Sequence, residues 1–180
     1  MSNTTNFIVR VNRSVKPDYI VRVNRSVKPD YSNWFQKLEH PELECSGPTK
    51  YSLKTGVKQW IHNNQKWGSV QGNTIFKQLK KDNVLGLCLN LLQDGLAIQA
   101  KGIFVFRELF GGEAVFLWGL VGWNSGHLCV PYLYPNGDKV GISLRQLNSF
   151  WNSNNPALLF KYPPELQQLN IPPQQLSLLP

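Results

Sequence analysis

Two histidine–cysteine pairs are the side chains of this sequence best suited to chemistry. His127 and Cys129 stand two positions apart, so they would share one face of a strand, and both residue types bind zinc. His40 and Cys45 would in principle add two further ligands from a loop. The sequence has no second closely spaced pair, however, and a cysteine is often only a small buried hydrophobe. We therefore predict no bound metal and no cofactor.

Thiol or acid–base catalysis is the second chemistry that these side chains allow. A thiol nucleophile needs a base within hydrogen-bond reach, which His127 or His40 would supply to Cys129. Glu42 and Glu44 flank one leucine of a loop and would act as a carboxylate pair. The sequence has no Gly-x-Ser-x-Gly, phosphate-binding loop or dinucleotide fingerprint. We assign no catalytic residue, and a cysteine/histidine-dependent enzyme is the third hypothesis for function.

Lysines offer a different chemistry, the binding of phosphate groups. The net charge is +8, and residues 50–101 carry eight lysines against two aspartates. Lysine contacts to phosphates, combined with stacking on Trp60 or Trp67, would suit RNA or single-stranded DNA. The candidate nucleic-acid-binding residues are Lys54, Lys58, Lys77, Lys80 and Lys81. Nucleic-acid binding is the second hypothesis, because both tryptophans also fit core spacing and no known binding motif is present.

A perfect tandem duplication lies near the N-terminus. Residues 8–19 and residues 20–31 both read Ile-Val-Arg-Val-Asn-Arg-Ser-Val-Lys-Pro-Asp-Tyr. Valines alternate with polar residues in each copy, as they do in a half-buried strand. Lys-Pro-Asp then ends that strand, because proline has no N–H to donate to a ladder. Each copy adds two positive charges, so the duplication itself raises the net charge.

The second copy is the better candidate for the native strand, because it runs directly into the aromatic residues that follow it. We expect Val21, Val23 and Val27 to form its apolar face and residues 114–123 to be its neighbour in a sheet. Residues 1–19 would then be an N-terminal extension that includes the first copy. Deletion of the first copy is expected to leave the fold and its melting temperature nearly unchanged.

The rest of the sequence predicts an α+β fold, in which a helical block precedes a small antiparallel β-meander. Helices are predicted over residues 55–67, from Asn73 onwards, and over residues 94–110. In the second helix the predicted core residues are Ile75, Phe76 and Leu79, and the predicted exposed residues are Lys77, Lys80 and Lys81. The third helix is apolar on all sides, Phe104 included, and is expected to be the buried central helix.

Period-two patterns after residue 112 predict the sheet. Residues 114–123 are continuously apolar, as in a strand that is covered on both faces. Alternating apolar runs flank Asn136-Gly137, the strongest short-range signal for a hairpin. Pro131 interrupts the first of these runs, so its strand needs an edge position or a bulge. The N-terminal strand is expected to join this meander.

One domain over residues 20–161 is expected, followed by a Pro- and Gln-rich tail over residues 162–180. The three cysteines are scattered, unlike a disulfide framework. No signal-peptide pattern is visible, and the most apolar run is about half the roughly 20 residues of a membrane helix. We expect a soluble cytoplasmic protein that does not bind membranes.

Five short motifs resemble a group of small uncharacterised bacterial proteins across roughly residues 20–160. They are His40-Pro-Glu-Leu-Glu44, Gly47-Pro48-x-x-Tyr51, Gly72-Asn73, Val130-Pro-Tyr-Leu133 and Asn155-Pro-Ala-Leu158. That group has no assigned activity, so the resemblance implies a self-contained domain and no chemistry. The first hypothesis for function is therefore a small basic intracellular interaction or regulatory module without catalytic activity, whose partner is another protein.

Overall fold

A seven-stranded sheet, mostly antiparallel, forms the centre of the protein in a computed structural model that describes residues 18–161. The strands of the described residues are β1 (Ile20–Arg22), β2 (Lys37–Leu38), β3 (Lys50–Ser52), β4 (Val57–Trp60), β5 (Val70–Gln71), β6 (Val115–Phe116), β7 (Gly122–Asn124), β8 (His127–Asn136), β9 (Lys139–Gln146), β10 (Phe150–Trp151) and β11 (Ala157–Phe160). The helices are α1 (Gly72–Lys81), α2 (Leu96–Ala100) and α3 (Ile103–Phe110). Single helical turns cover Pro41–Leu43, Asn63–Lys66, Leu85–Leu87 and Leu91–Gly95.

Strand β8 organises the central sheet. Its partner on one side is β9, and on the other side β7 and β6 pair with it end to end. Beyond these lie β2, next to β7, and β11, which runs parallel to β6. Strand β4 forms the edge outside β11. Two antiparallel pairs, β1–β3 and β5–β10, lie outside this sheet.

Each face of the central sheet carries its own apolar core. Along β11, Leu158 and Phe160 pack with one cluster while Ala157 and Leu159 pack with the other, as alternation along a strand requires. The first cluster includes the apolar side chains of α3 and of the β1–β3 pair, and we call this side of the sheet the α3 face. The second includes those of α1 and of the β5–β10 pair, and we call it the α1 face.

The α+β class is confirmed, but the predicted helix over residues 55–67 is wrong. Residues 57–60 form the edge strand β4, paired with β11. Val57 and Trp60 have the i, i+3 spacing of one helical face, yet in the strand they belong to opposite faces of the sheet. Pairing with β11 therefore overrides the helical pattern. Strands β1–β5 precede α1, so the order of a helical block followed by a meander is not confirmed.

The amphipathic helix α1 is confirmed. It spans Gly72–Lys81, one residue earlier than predicted. The predicted core residues Ile75, Phe76 and Leu79 are buried, and the predicted exposed residues Lys77, Lys80 and Lys81 are exposed.

The helix predicted over residues 94–110 is broken into pieces, and it is not central. A π turn over Leu91–Gly95 leads into α2, and Gly102, with a φ of 86°, separates α2 from α3. A φ in that region is readily adopted only by glycine. Phe104 is 84% exposed, so α3 has a solvent side.

The apolar run over residues 114–123 is also divided, into β6 and β7. Gly119 lies in the interruption, where its N–H donates to the Leu89 carbonyl at 3.1 Å. A Cβ at Gly119 would lie 2.4 Å from the Cys88 carbonyl oxygen, so the run bends around the segment that contains Cys88 and Leu89. Pro131 of β8 accepts from the Leu117 N–H at the same interruption. The N–H that a proline lacks would point to the same side of β8, towards the interruption between β6 and β7. Pro131 therefore fits within a paired strand without removing a hydrogen bond to β9.

The predicted hairpin is confirmed, with its loop shifted by one residue. Asn136 pairs with Lys139, so the two-residue loop is Gly137-Asp138. Gly137 has a φ of 60°, as expected for glycine at the first position of such a loop.

The second copy of the duplication does supply a strand, but the predicted neighbour is wrong. Strand β1 pairs with β3, with Val21 opposite Tyr51, whereas β6 lies between β8 and β11. Val21 is fully buried and Val27 is 58% exposed, so the expected three-valine face is not formed. The predictions for residues 1–17 and for the tail over residues 162–180 lie outside the described residues. Within the described range, no helix has the length and apolarity needed to cross a membrane.

Candidate functional site

The structure distributes the five candidate lysines over both faces of the central sheet, and all five are exposed. Lys54 lies on the α3 face, where its Nζ is 3.8 Å from Glu108 Oε1 and 4.9 Å from the centre of the Tyr19 ring. Lys58 belongs to the edge strand β4, opposite Leu159, whose side chain packs on the α1 face. The remaining three lysines lie on α1. Lys54 is therefore separated from the other four.

The outer face of α1 carries a row of lysines. The buried residues define one side of this helix, and Lys77 and Lys81, four positions apart, lie on the opposite side. Lys80 flanks them, with its Nζ 4.4 Å from the centre of the Phe76 ring. None of the three lysines forms an ion pair with a carboxylate of residues 18–161. Their charge is therefore available to an external anion.

An exposed tryptophan lies just before α1, on a segment that we call the Trp67 turn (residues 62–67). The side chain of Trp67 is 91% exposed. His62 begins the turn, and its Nδ1 accepts a hydrogen bond from the Asn64 N–H at 3.1 Å. The capping interaction satisfies an N–H that the short turn would otherwise leave unpaired.

Gln65 anchors the Trp67 turn to the rest of the protein. Its Oε1 accepts the N–H of His62 at 2.8 Å. Its Nε2 donates to the carbonyls of Asn152 and Asn155, at 2.8 and 3.3 Å. Gln65 is itself 2% exposed. These hydrogen bonds hold the turn against the loop that precedes β11, and they present Trp67 to solvent on a fixed support.

A buried polar network connects the second copy of the duplication to the π turn. The Arg25 guanidinium donates to both carboxylate oxygens of Asp94, at 2.6 and 3.2 Å, and to Gln93 Oε1 at 2.7 Å. Asp94 also accepts from the Tyr51 hydroxyl at 2.8 Å and from the Asn90 N–H at 3.1 Å. The side chains of Arg25 and Asp94 are 7% and 0% exposed. This network ties β1, β3 and the π turn together.

Opposing effects act on the ionisation of Asp94. Burial raises the pKa of its carboxyl group, and the Arg25 guanidinium opposes that rise. Hydrogen bonds from Asn90 and Tyr51 act in the same direction as Arg25. The four donors that surround the carboxylate offset part of the cost of removing it from water, and its pKa stays raised.

An open cleft lies beside this network. Its volume is about 290 Å³, and it is lined by residues of the second copy, between Arg22 and Pro29, and by Leu92, Gln93 and Ala97. The exposed Val27 is at its wall.

The histidine and cysteine candidates do not converge on a reactive centre within the described residues. His127 is exposed, whereas Cys129 is buried and its Sγ lies 3.6 Å from the His127 carbonyl oxygen. Burial raises the pKa of the Cys129 thiol, which disfavours the thiolate. His40 packs its ring edge-on against Phe76 and contacts Glu42 at 2.9 Å. No group of three His, Cys, Asp or Glu residues in the described range is arranged to hold a metal ion.

The paired carboxylates predicted in the acidic loop diverge. Glu42 is exposed and faces His40. Glu44 is buried, and its Oε2 lies 3.1 Å from Lys28 Nζ. Cys45, half-buried beside it, has its Sγ 3.9 Å from the Val27 carbonyl oxygen. The two glutamates therefore serve different contacts and do not share one substrate position.

Sequence reasoning missed the residues that build these two sites. The sequence pattern indicated that a helix starts at Asp94, whereas in the structure the Asp94 carboxylate accepts hydrogen bonds from the Arg25 guanidinium. The pattern gave Arg25 no role, although it lies in the same phase of the alternation as Val21, Val23 and Val27. The spacing of His62 and Gln65 was a partial signal, because glutamine fits the fourth position of the capping pattern while histidine stands where that pattern has Ser or Thr.

No family model, curated protein or solved structure matches this chain. The resemblance to small bacterial proteins therefore stays a prediction.

Proposed function

We propose that this protein is a non-catalytic binding module that holds single-stranded nucleic acid on the Trp67 turn and the outer face of α1. The observation that carries the proposal is the 91% exposure of Trp67 on a hydrogen-bonded support next to the lysine Lys66. The sequence alone favoured a protein partner, with nucleic acid second. Fixed exposure of a tryptophan beside lysines that lack carboxylate partners among the described residues favours nucleic acid.

An exposed tryptophan suits this partner because every base has a π face. Stacking of a base on an aromatic side chain contributes about 1–3 kcal/mol and tolerates any sequence. A tryptophan whose ring is already ordered loses little entropy when a base stacks on it. The hydrogen bonds of Gln65 hold the backbone of the Trp67 turn, so that this backbone need not become ordered when a base stacks.

Lysines supply the phosphate contacts. The proposed surface comprises Lys58, Lys66, Lys77, Lys80 and Lys81, all of them exposed and without an ion-pair partner in residues 18–161. Helix α1 begins at Gly72, five residues after Trp67, and three exposed lysines lie along it. A strand that stacks on Trp67 could therefore run along α1. Lys54 is excluded from this surface, because it lies on the other face of the sheet beside Glu108.

Fluorescence anisotropy with labelled dT and rU oligonucleotides at about 50 mM salt tests the proposal. We expect binding that weakens as salt is added, and a loss of at least roughly fivefold in affinity for Trp67→Ala. Phe104→Ala is the matched control, since Phe104 is 84% exposed on the α3 face. Its affinity should equal that of the parent protein.

Charge is tested in the same way with a pair of double variants. Lys77→Gln/Lys81→Gln should lower the slope of log K against log salt by about 0.7 for each phosphate that the variant no longer neutralises. The control Lys50→Gln/Lys139→Gln removes two exposed lysines that lie outside the proposed surface. Absence of binding at about 50 mM salt would reject nucleic acid. A protein partner, docking around exposed Phe104, would then be the better hypothesis.

A further inference from the structure

The second copy (residues 20–31) is bound to the rest of the protein through side chains and carbonyls that are also present in the first copy (residues 8–19). Val21 is fully buried, and Arg25 forms the ion pair with Asp94. Gln93 Nε2 donates to the carbonyls of two further residues of the copy, at 3.0 and 3.2 Å. Each of these groups has an identical counterpart twelve positions earlier in the sequence. The surface formed by β3, Gln93 and Asp94, which we call the copy site, therefore contacts residues that both copies possess.

We propose that residues 8–19 compete with residues 20–31 for the copy site, so that the protein exchanges between two registers that differ by twelve residues. In one register the second copy pairs with β3 and Arg25 binds Asp94. In the other register the first copy takes this position, and Arg13 replaces Arg25. The inference does not depend on the proposed nucleic-acid partner.

The residues that precede each copy decide which register is preferred. Asp18 and Tyr19 precede the second copy, and Asp18 accepts from Lys101 Nζ at 2.7 Å. The Tyr19 hydroxyl donates to a carboxylate oxygen of Glu108 at 2.6 Å. Asn6 and Phe7 precede the first copy, and they are the near-isosteres of aspartate and tyrosine that lack the charge and the hydroxyl. The second copy is favoured by these two interactions, both of which are at the surface.

The other end of the copy adds a small preference in the same direction. The Tyr31 carbonyl accepts the N–H groups of Trp34 and Phe35, so the second copy is connected to the core by a short turn. Docking of the first copy would turn residues 20–31 into an inserted loop. The entropic cost of closing a loop grows only with the logarithm of its length. The two registers are therefore close in free energy. Their docked side chains are identical, and they differ only by two surface interactions and a modest entropic cost of loop closure.

Arginine substitutions test the exchange by urea denaturation of the full chain. Arg13→Ala should leave the midpoint unchanged, because the second copy occupies the site. Arg25→Ala should cause only a small shift, because the first copy brings Arg13 to Asp94. Arg13→Ala/Arg25→Ala should cause a far larger shift than the sum of the two single variants.

A chain without residues 8–19 supplies the control, since it has no alternative arginine for Asp94. Arg25→Ala in that chain should lower the urea midpoint by as much as the double variant lowers it in the full chain. The proposal would be overturned if Arg25→Ala lowered the urea midpoint equally in the full chain and in the shortened chain.

A cross-strand disulfide reports the second register directly. Ile20 lies opposite Ser52 in the β1–β3 pair, and Ile8 would take its place after exchange. In a Cys45→Ser background, Ile8→Cys/Ser52→Cys should form the disulfide in glutathione buffer, and Asp18→Asn/Tyr19→Phe should increase its yield several-fold. The control Val15→Cys/Ser52→Cys should give only background cross-linking, because its counterpart Val27 is not opposite Ser52. A yield from Ile8→Cys no higher than this background would contradict the exchange.

Discussion

The guanidinium of Arg25 and the carboxylate of Asp94, 69 positions apart in sequence, meet 2.6 Å apart in the interior of the protein. The pair joins the segment that follows β1 to the π turn that precedes α2. A buried ion pair of this kind is not in itself strong evidence of stability, because both charges lose their hydration. Removal of Asp94, however, would leave the Arg25 charge buried and unpaired.

Replacement of Asp94 by alanine is therefore expected to destabilise the protein severely. Breaking a buried pair by removing one partner typically costs about 3–5 kcal/mol, and here the Tyr51 hydroxyl and the Asn90 N–H also lose their acceptor. Urea denaturation measures the loss. Asp138→Ala, in the exposed hairpin loop, is the control and should change the free energy of unfolding by less than about 0.5 kcal/mol. A comparable small loss for Asp94→Ala would show that the pair is not needed for folding.

Gly119→Ala should be destabilising for a different reason, the close approach of two backbone segments. The new Cβ would lie 2.4 Å from the Cys88 carbonyl oxygen, and a backbone atom has little freedom to move away. Overpacking of this kind costs about 1–3 kcal/mol or more. Gly68→Ala is the matched control, because no atom lies within 4 Å of a Cβ built there. Equal thermal denaturation curves for the two variants would contradict the tight packing.

Stability is expected to fall at alkaline pH, in part because of Cys88. Burial raises the pKa of its thiol above the usual value of 9.0, so the folded state keeps the proton after the unfolded state has lost it. The stability that this group contributes is complete below pH 9.0 and is lost as the pH rises further. Above pH 9.0 this group is expected to lower the free energy of unfolding by about 1.4 kcal/mol per pH unit.

Cys88→Ala should reduce this loss of stability, and the buried Cys129 thiol, whose pKa is also raised, remains in the variant. Urea denaturation at about pH 8 and about pH 10, in reducing buffer, should give a smaller difference between the two values for the variant than for the parent. The Cys129 thiol and the Tyr51 hydroxyl, whose pKa values burial also raises, remain in both proteins and account for the decline that persists in the variant. The same alkaline loss in both proteins would exclude a contribution from Cys88.

Deletion of residues 8–19 should change the melting temperature only slightly. The deletion joins Phe7 to Ile20, so Asn6 and Phe7 take the positions of Asp18 and Tyr19. The shortened protein then lacks the interactions with Lys101 and Glu108, both of which lie at the surface. A fall of more than roughly 5 °C would indicate that both copies contribute to the folded structure.

The sequence by itself determined the elements whose signals are local. The three-to-four-residue spacing of apolar side chains in α1 specifies which of its faces is buried, whatever the helix packs against. The glycine of the hairpin loop likewise specifies a turn through its own backbone conformation. Exposure of the α1 lysines follows directly from that helical pattern.

Only the tertiary structure decided the elements that depend on distant partners. Residues 57–60 fit a helix by spacing, and they form a strand because β11 is available to pair with them. Residues 114–123 read as one strand, and they are divided because the backbone around Cys88 passes against Gly119. No local sequence pattern indicates that Arg25 and Asp94 pair, because their pairing depends on which distant segments the fold brings together. The identity of the docked copy is decided in the same way, by interactions of Asp18 and Tyr19 with residues more than eighty positions away.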